Sequence, residues 1–264
     1  MTAHVTLDAL AGRVNVVLLP AAPYSADDPV ESITLGISLG RQRGVHAIDS
    51  DRRTDFDILP GVLAYTPAGM RVFSESSVGG EYLVMRWCAP AEEGASATCG
   101  HRVESPGHSA ALELGFAIRR ELISEDRDML RLDELLVGLY ALRPGQTDCR
   151  ADTSRRIPDI ILDKIHEEFW RPLTLSELSG DAGRSELQFL REFSRTLGMT
   201  PHAYVMETRV QAARRMLTET DAPLSIVAVE CGFSHQSHMG RVFRMSLGVT
   251  PQQYRRCFHG ADSN

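Results

Sequence analysis

The most constraining feature of the sequence is a segment that occurs twice near the C-terminus. Residues 191–204 read REFSRTLGMTPHAY, and residues 241–254 read RVFRMSLGVTPQQY. Arginine, phenylalanine, leucine, glycine, threonine, proline and tyrosine fall at matching places in both segments. A pattern this specific, repeated once in a chain of 264 residues, predicts two copies of one small structural unit.

Each copy has the outline of a helix-turn-helix. In the first copy, Thr174 can cap one short helix, and Ser185 can cap a second helix after a break that contains glycine. Ser234 matches Ser185 in the second copy, and one extra residue follows it. Apolar residues recur at helical spacing in that second helix and again in its duplicate: Phe189, Phe193 and Leu197, then Met239, Phe243 and Leu247. The sequence therefore predicts two recognition helices, at residues 185–197 and 234–247.

A single long helix is predicted between the two copies. Residues 203–219 read AYVMETRVQAARRMLTE, and a helix of ~15 residues spans ~22 Å. Successive major grooves on one face of B-DNA lie ~34 Å apart. The alternative, a helical repeat that binds only protein, usually needs three or more copies. The pattern therefore favours one polypeptide that reads two consecutive grooves.

The C-terminal ~100 residues resemble the DNA-binding domain of the AraC/XylS family of bacterial transcription regulators. The motifs that carry the resemblance are LTLSELSGDAGRS at residues 173–185, the repeated segment, and CGFSHQSHMGRVFRMSLGVTPQQYRR at residues 231–256. The resemblance implies a domain of seven helices with two helix-turn-helix units, in which residues 157–170 form the first helix. It also implies double-stranded DNA and RNA polymerase as partners.

Exposed positions on the two predicted recognition helices are the candidate DNA contacts. Arg191 and Arg241 occupy matching places, which by resemblance contact bases, and an arginine fork suits guanine O6 and N7. Arg195 and Arg244 lie one turn further on, where phosphates are the expected partners. The full candidate set is Gln188, Arg191, Arg195, His235, Gln236, Ser237, Arg241 and Arg244. His238 is expected to support its helix or contact phosphate.

Two residues depart from this picture. Glu186 places a carboxylate at the start of the first recognition helix, where it repels phosphates unless it accepts from a cytosine amine. Gly240 lowers helix propensity by ~1 kcal/mol relative to alanine. Residues 151–264 hold 14 basic and 14 acidic residues, so positive charge must be sorted onto one face to meet DNA. We expect the first unit to make fewer polar base contacts than the second.

The first half of the chain has a different pattern. Residues 1–105 predict short strands of a cupin-like β-barrel or jelly roll, including a hairpin across Gly79-Gly80, and LPGVLAYTPAG at residues 59–69 resembles the sensor domains of many family members. Residues 106–143 predict two amphipathic helices, which either form a homodimer interface or pack back on the strands. Residues 144–156 predict a linker, and residues 157–260 the DNA-binding domain. The fold class is thus α+β and multidomain.

No enzyme chemistry is predicted. His46, His101 and His108 are isolated, and the acidic run at residues 49–57 is interspersed with arginine, as in a solvated loop, so we expect no metal, no cofactor and no catalytic residues. The alternative is a cupin-type enzyme fused to a DNA-binding tail. A small-molecule effector is a further expected partner of the first half. No segment has the apolar length of a membrane span, so we expect a soluble protein of the cytoplasm.

Overall fold

A computed structural model describes residues 5–27, 31–88, 101–105, 109–144 and 157–258. The chain divides into two compact units, residues 2–151 and residues 152–264. All but one of the residues predicted as the linker, residues 144–156, lie outside the described residues, as do residues 89–100 of the first half. No helix in the described ranges has the length and apolar character needed to cross a membrane.

The N-terminal unit is built from two antiparallel sheets. Its strands, within the described residues, are β1 (Val5–Ala9), β2 (Val14–Leu19), β3 (Tyr24–Asp27), β4 (Ser32–Ser38), β5 (Gln42–Ile48), β6 (Thr54–Ile58), β7 (Leu63–Thr66), β8 (Val72–Ser76), β9 (Tyr82–Cys88) and β10 (Val103–Ser105). The larger sheet has the order β1-β2-β9-β4-β7-β10, and the smaller has the order β3-β8-β5-β6. Two antiparallel sheets of this kind fit a cupin-like fold, and the predicted α+β class is confirmed.

The two faces of the larger sheet have different partners. Alternate residues of a strand point to opposite faces, so Tyr82 and Val84 of β9 face the smaller sheet, and Leu83 faces away from it. The face away from the smaller sheet is covered by α1 (Ser109–Ile123), where a Cβ added at Gly115 would meet Leu39 Cδ2 at 2.6 Å. The larger sheet therefore lies between the smaller sheet and a helical layer.

The leucine-rich helix is buried within its own unit. In α2 (Met129–Ala141), Leu132, Leu136 and Leu139 are buried, and the helix packs on α1 and β1. The buried leucines therefore pack back on their own unit, and a homodimer interface through this segment stays a prediction. The exposed residues of α2 include Leu130 and Val137.

The hairpin predicted across Gly79-Gly80 is wrong. β8 belongs to the smaller sheet and β9 to the larger one, so the two glycines carry the chain from one sheet to the other. Gly79 has φ +72°, and a Cβ there would lie 1.9 Å from the carbonyl oxygen of Ala22. A Gly-Gly pair thus marks a close backbone crossing here, which has the same sequence signature as a tight turn.

Part of the acidic segment predicted as a solvated loop forms a strand instead. β5 and β6 pair as a hairpin in which His46 lies opposite Thr54, so Asp55 and Asp57 are strand residues. The guanidinium of Arg41, which is 3% exposed, donates to Asp57 at 2.5 Å. In the part of the chain that the structure describes, no group of three or more histidine, cysteine or acidic side chains is arranged to hold a metal ion.

The C-terminal unit contains seven helices within residues 157–258, as the resemblance implied. They are α3 (Asp159–Glu168), α4 (Leu175–Asp181), α5 (Glu186–Leu197), α6 (Pro201–Glu219), α7 (Leu224–Glu230), α8 (Gln236–Leu247) and α9 (Pro251–Phe258). The pairs α4–α5 and α7–α8 are the two predicted helix-turn-helix units, and α6 packs against α3, α5, α7 and α9. The central helix is longer than its predicted ~15 residues, with 19 residues.

The duplication holds at the level of side-chain contacts. Phe193 packs edge-to-face on Tyr204 at 5.7 Å between ring centroids, and the equivalent Phe243 packs on Tyr254 at 6.1 Å. Each recognition helix ends at a glycine with positive φ, 69° at Gly198 and 77° at its duplicate. The two repeated motifs therefore fold into the same local structure because they contain the same glycine stops and aromatic anchors.

Candidate DNA-binding surface

The first recognition helix begins with a reciprocal cap. The Ser185 hydroxyl accepts from the backbone N–H of Gln188, and the Gln188 side-chain oxygen accepts in turn from the backbone N–H of Ser185 at 3.3 Å. This capping box satisfies two N–H groups that would otherwise lack partners at the helix start. The predicted cap at Ser185 is confirmed. The amide nitrogen of Gln188 remains the group that this side chain can present to DNA.

The second recognition helix is capped by a different residue from the one its duplicate suggests. The cap is His235, whose Nδ1 accepts from the backbone N–H of His238 at 3.1 Å, and the helix begins at Gln236. Ser234, the sequence match of Ser185, instead contacts the ring of His238 at 3.1 Å. The extra residue in this turn moves the cap by one position. The start predicted at residue 234 is therefore two residues early.

Apolar residues fix which face of each recognition helix is free. Phe189, Phe193, Met239 and Phe243 are at most 2% exposed, which confirms that they form the core of the two units. With that stripe buried, the opposite face is exposed. All eight predicted contact residues are exposed: Gln188, Arg191, Arg195, His235, Gln236, Ser237, Arg241 and Arg244.

Some arginines of this unit hold the helices together. Arg209 of α6 donates from Nε to the carbonyl oxygen of Phe169 at 2.8 Å, and its Nη2 donates to the carbonyl oxygen of Arg171 at 2.9 Å. Arg214, which is 6% exposed, donates to the hydroxyl of Tyr254 at 3.0 Å. These contacts join α6 to the end of α3 and to α9. No residue pattern distinguishes these arginines from the exposed ones.

Arg191 and Arg241 are used differently from those arginines. Neither guanidinium takes part in a hydrogen bond or ion pair with any residue that the structure describes, and both side chains are exposed. Arg184 and Glu192 form an ion pair at 2.7 Å on the first unit, so the acidic residue next to Arg191 is already engaged. The two equivalent arginines are therefore available for an external partner.

His238 supports the start of the second recognition helix. Burial, followed by the positive charge of Arg241, lowers the pKa of His238 below its ordinary value of 6.5. Its ring also packs edge-on against Phe233 at 5.6 Å between centroids. These contacts favour the neutral imidazole near pH 7. His238 is thus placed as a helix-supporting residue, as predicted.

The two units differ in charge. The first recognition helix contains Glu186 and Glu192 beside Arg191 and Arg195, whereas residues 231–256 contain arginine and no acidic residue. A surface without carboxylates attracts phosphates with less repulsion. The second unit therefore has the more favourable electrostatics for a polyanion.

The comparisons with known proteins match this part of the chain. Residues 178–257 match a family model described as a helix-turn-helix domain. The chain is 35% identical over 101 residues to the probable transcriptional regulator LumQ of Photobacterium leiognathi, covering 38% of this chain and 41% of that protein. It is 30% identical over 139 residues to the HTH-type transcriptional regulator MtrA of Neisseria gonorrhoeae, covering 53% of this chain and 41% of that protein.

A third relative matches a larger share of the chain. The chain is 27% identical over 160 residues to the HTH-type transcriptional activator RhaR of Klebsiella pneumoniae, covering 59% of this chain and 57% of that protein. The chain thus spans less than two thirds of the length of each of these relatives. The shared feature is the helix-turn-helix domain.

Proposed function

We infer that this chain is a member of the AraC/XylS family by its C-terminal helix-turn-helix domain and that it is a sequence-specific DNA-binding regulator of transcription. The observation that carries the proposal is the duplicated unit, which exposes Arg191 and Arg241 at equivalent places on two recognition helices. An exposed helix with a buried apolar stripe and polar N-terminal turns is the element that enters a major groove in helix-turn-helix proteins.

The length of α6 supports the binding of two grooves by one chain. Its 19 residues correspond to ~28 Å at 1.5 Å per residue. Successive major grooves on one face of B-DNA are ~34 Å apart. Because α6 contacts a helix of each unit, α5 and α7, it sets their separation. We therefore propose that α5 and α8 enter adjacent major grooves of the same duplex.

The exposed side chains have distinct proposed roles. Arg191 and Arg241 donate two hydrogen bonds each to guanine edges, and Gln236 pairs with an adenine edge. Arg195 and Arg244, one helical turn further on, contact phosphates and set the register. Gln188, His235 and Ser237 complete the surface with further hydrogen-bonding groups. These three side chains position the helices on DNA as well as contact bases.

The N-terminal unit is the proposed control element. It acts either by binding a small-molecule effector or by forming a homodimer, and RNA polymerase is the proposed partner once the chain is on DNA. The cavity between its two sheets, of about 250 Å³, supports the effector alternative. The exposed Leu130 and Val137 of α2 are compatible with the dimer alternative.

The proposal is tested by selection of binding sites from a random duplex library with the full chain. We expect an enriched motif of two parts whose centres lie about one helical turn, ~10 bp, apart. The double variant Arg191→Ala/Arg241→Ala should lose the motif and keep weak binding that is independent of sequence. Arg120→Ala, which changes an exposed arginine of α1, is the matched control and should enrich the same motif as the unaltered chain.

The salt dependence of DNA affinity, measured on the same protein and the selected duplex, is a second test. Because phosphate contacts release counterions, affinity should fall steeply and linearly on a logarithmic salt scale. Enrichment of a motif with one part only, or an unchanged motif for the double variant, would refute the two-groove proposal. A chain that enriches no sequence at all would refute sequence-specific binding.

A further inference from the structure

The two recognition helices begin with different side chains at one pair of equivalent positions. The cap residue is Ser185 in α5 and His235 in α8. The third helical residue is Gln188 in α5 and His238 in α8. In α5 the serine and the glutamine form a reciprocal capping box. In α8 both members of the equivalent pair are therefore histidines.

The two histidines accept backbone N–H groups at the start of α8. Nδ1 of His235 accepts from the backbone N–H of His238 at 3.1 Å. Nδ1 of His238 accepts in turn from the backbone N–H of Ser234 at 3.4 Å, and the Ser234 hydroxyl lies 3.1 Å from the same nitrogen. His235 and His238 together thus form a two-histidine cap.

This cap requires both rings to be neutral. A neutral imidazole has one protonated and one bare nitrogen, and only the bare nitrogen can accept a hydrogen bond. Protonation turns Nδ1 into a donor that faces other N–H groups, and it adds positive charge at a helix N-terminus, which is already partially positive. The serine and glutamine of α5 do not titrate between about pH 5 and pH 8, where histidine does. Mild acid therefore removes the cap of α8 and leaves the cap of α5.

The surroundings of His238 oppose its protonation. Burial, followed by the positive charges of Arg241 and His235, lowers the pKa of His238 below 6.5. Arg209 and His202 of α6 act in the same direction. The folded chain therefore binds fewer protons at this site than the unfolded chain does. Stabilisation by the neutral ring is complete above pH 6.5 and is lost as the pH falls below that value.

The acidic side chains of the neighbouring helices contact other groups or solvent. Residues 231–256 contain no acidic residue. Glu230 at the end of α7 is exposed. Glu207 of α6 accepts from the hydroxyl of Ser246 at 3.4 Å, eight residues beyond His238 and ~12 Å along α8. Among the described residues, the charged groups that act on the His238 ring are thus all basic.

We propose that the two-histidine cap makes sequence recognition by the second helix-turn-helix unit sensitive to mild acid, whereas recognition by the first unit is not. The inference rests on the proposed function, because it names a condition that regulates the DNA-binding surface. Loss of the cap frays the first turn of α8, which contains Gln236 and Ser237 and positions Arg241. Phosphate contacts carry no sequence information, so acid should reduce discrimination between sequences and leave non-specific affinity in place.

Nitrogen NMR of the histidine rings in the full chain tests the cap without DNA. At about pH 8 we expect both rings to carry their proton on Nε2, because Nδ1 of each ring is an acceptor. As the pH falls to about 5.5, the backbone amide resonance of His238 should shift as the rings titrate. The amide of Gln188, which donates to Ser185, should not shift. A proton on Nδ1 of either neutral ring, or equal shifts of the two amides, would overturn the proposal.

The second test measures discrimination at each half-site, the part of the DNA motif that one unit binds. The affinity of the full chain for its selected duplex is compared with its affinity for duplexes in which one half-site is scrambled, at about pH 8 and about pH 5.5. The effect of scrambling the second half-site should shrink in acid by about fivefold, which corresponds to the loss of one helix cap. The effect of scrambling the first should change by less than about twofold. Arg191→Ala and Arg241→Ala assign each half-site to its unit.

Two altered chains locate the effect. His235→Ser/His238→Gln installs in α8 the capping box of α5, so its discrimination at the second half-site should be the same at both pH values, whatever its absolute affinity. His46→Gln is the matched control, because it removes a histidine of the N-terminal unit whose pKa is also lowered by burial. This control should keep the acid response of the unaltered chain. Circular dichroism at each pH confirms that the chains are folded.

Three DNA-binding outcomes would overturn the proposal. They are an equal acid response at both half-sites, no acid response at the second half-site, and an undiminished response in the folded His235→Ser/His238→Gln chain. A chain that selects its DNA motif but gives one of these results refutes this inference alone. A chain that selects no DNA sequence refutes the proposed function, and the ring NMR still decides whether the cap titrates as described.

Discussion

Two equivalent glycines in the turns of the helix-turn-helix units should respond differently to the same substitution. Gly183 has φ +64° and Gly232 has φ +78°, so alanine at either position is placed in the left-handed region at a cost of ~1–2 kcal/mol. A Cβ at Gly183 would meet no heavy atom within 4 Å. A Cβ at Gly232 would lie 2.7 Å from the carbonyl oxygen of Phe169 and 2.9 Å from Arg209 Nε.

The additional cost at Gly232 follows from what those atoms do. The carbonyl oxygen of Phe169 accepts from Arg209 Nε at 2.8 Å, and this bond joins α6 to the end of α3. A Cβ wedged against both atoms must displace it, and a hydrogen bond to a charged group contributes ~1.5–3 kcal/mol. We therefore expect Gly232→Ala to destabilise the C-terminal unit by ~2.5–5 kcal/mol and Gly183→Ala by ~1–2 kcal/mol.

Urea titration of the full chain measures this difference. The chain has two tryptophans, so Trp87→Phe leaves Trp170 of the C-terminal unit as the fluorescent reporter. A change of 1 kcal/mol shifts the melting temperature of a domain of about this size by ~4–8 °C, so thermal melts give an independent estimate. Equal losses at the two glycines, or a larger loss for Gly183→Ala, would show that the described approach to Phe169 is incorrect.

Three further outcomes are expected. Gly240→Ala in α8 should stabilise the C-terminal unit by ~0.5–1 kcal/mol, because alanine favours the helix over glycine and a Cβ there meets no heavy atom within 4 Å. Thermal melts of this variant and of the matched change Gly180→Ala in α4 measure the effect, and lower melting temperatures would contradict it. Hydrogen bonds from Arg171, and to a smaller extent from Lys164, lower the pKa of Glu177 from 4.5 to about 2. The ionised Glu177 therefore stabilises the fold above pH 4.5, and this stabilisation is lost as the pH falls toward 2. The urea midpoints of Glu177→Gln and of the unaltered chain should converge over that interval, and a constant gap would refute the pairing. Glu81 and Arg119 form an ion pair at 2.6 Å, and their side chains are 0% and 1% exposed. Glu81→Gln or Arg119→Met alone should therefore destabilise the N-terminal unit by ~3–5 kcal/mol, because each leaves a buried charge without its partner. In a double-mutant cycle the loss for both changes should be smaller than the sum of the single losses, and additive losses would mean that the pair is not coupled.

The C-terminal unit was predictable because local signals and the duplication agree. Caps at Thr174 and Ser185 and the buried stripe at Phe189 and Phe193 were all readable from residue type and spacing. These signals act within one or two helical turns. The second copy repeats the glycine stop and the buried stripe but not the caps, since Pro223 and His235 stand at the starts of α7 and α8.

Features that depend on long-range contacts were not predictable. The carbonyl groups that Arg209 binds lie 38 and 40 residues away along the chain, and Arg214 reaches Tyr254 over 40 residues. No periodicity marks such partners. The sequence therefore could not tell a bracing arginine from an exposed one such as Arg191 or Arg241.

The N-terminal unit shows the same limit in its glycines. Gly79-Gly80 has the composition of a tight hairpin turn, yet it joins strands of different sheets because Gly79 must pass within van der Waals distance of the Ala22 carbonyl. The cavity was likewise not foreseen. Its lining residues include Arg86 and Arg102, which are sixteen positions apart in the sequence, and no local pattern marks them as parts of one cavity.

Base-resolved mapping of protein contacts on a selected DNA site tests the central claim most directly. The full chain, Arg191→Ala and Arg241→Ala are each compared by methylation protection at guanine N7. The account predicts that each variant loses protection at one guanine position, that the two lost positions are about one helical turn, ~10 bp, apart on one face, and that both lie in major grooves. Loss of the same position by both variants, or unchanged protection for either, would contradict the binding of adjacent grooves by one chain.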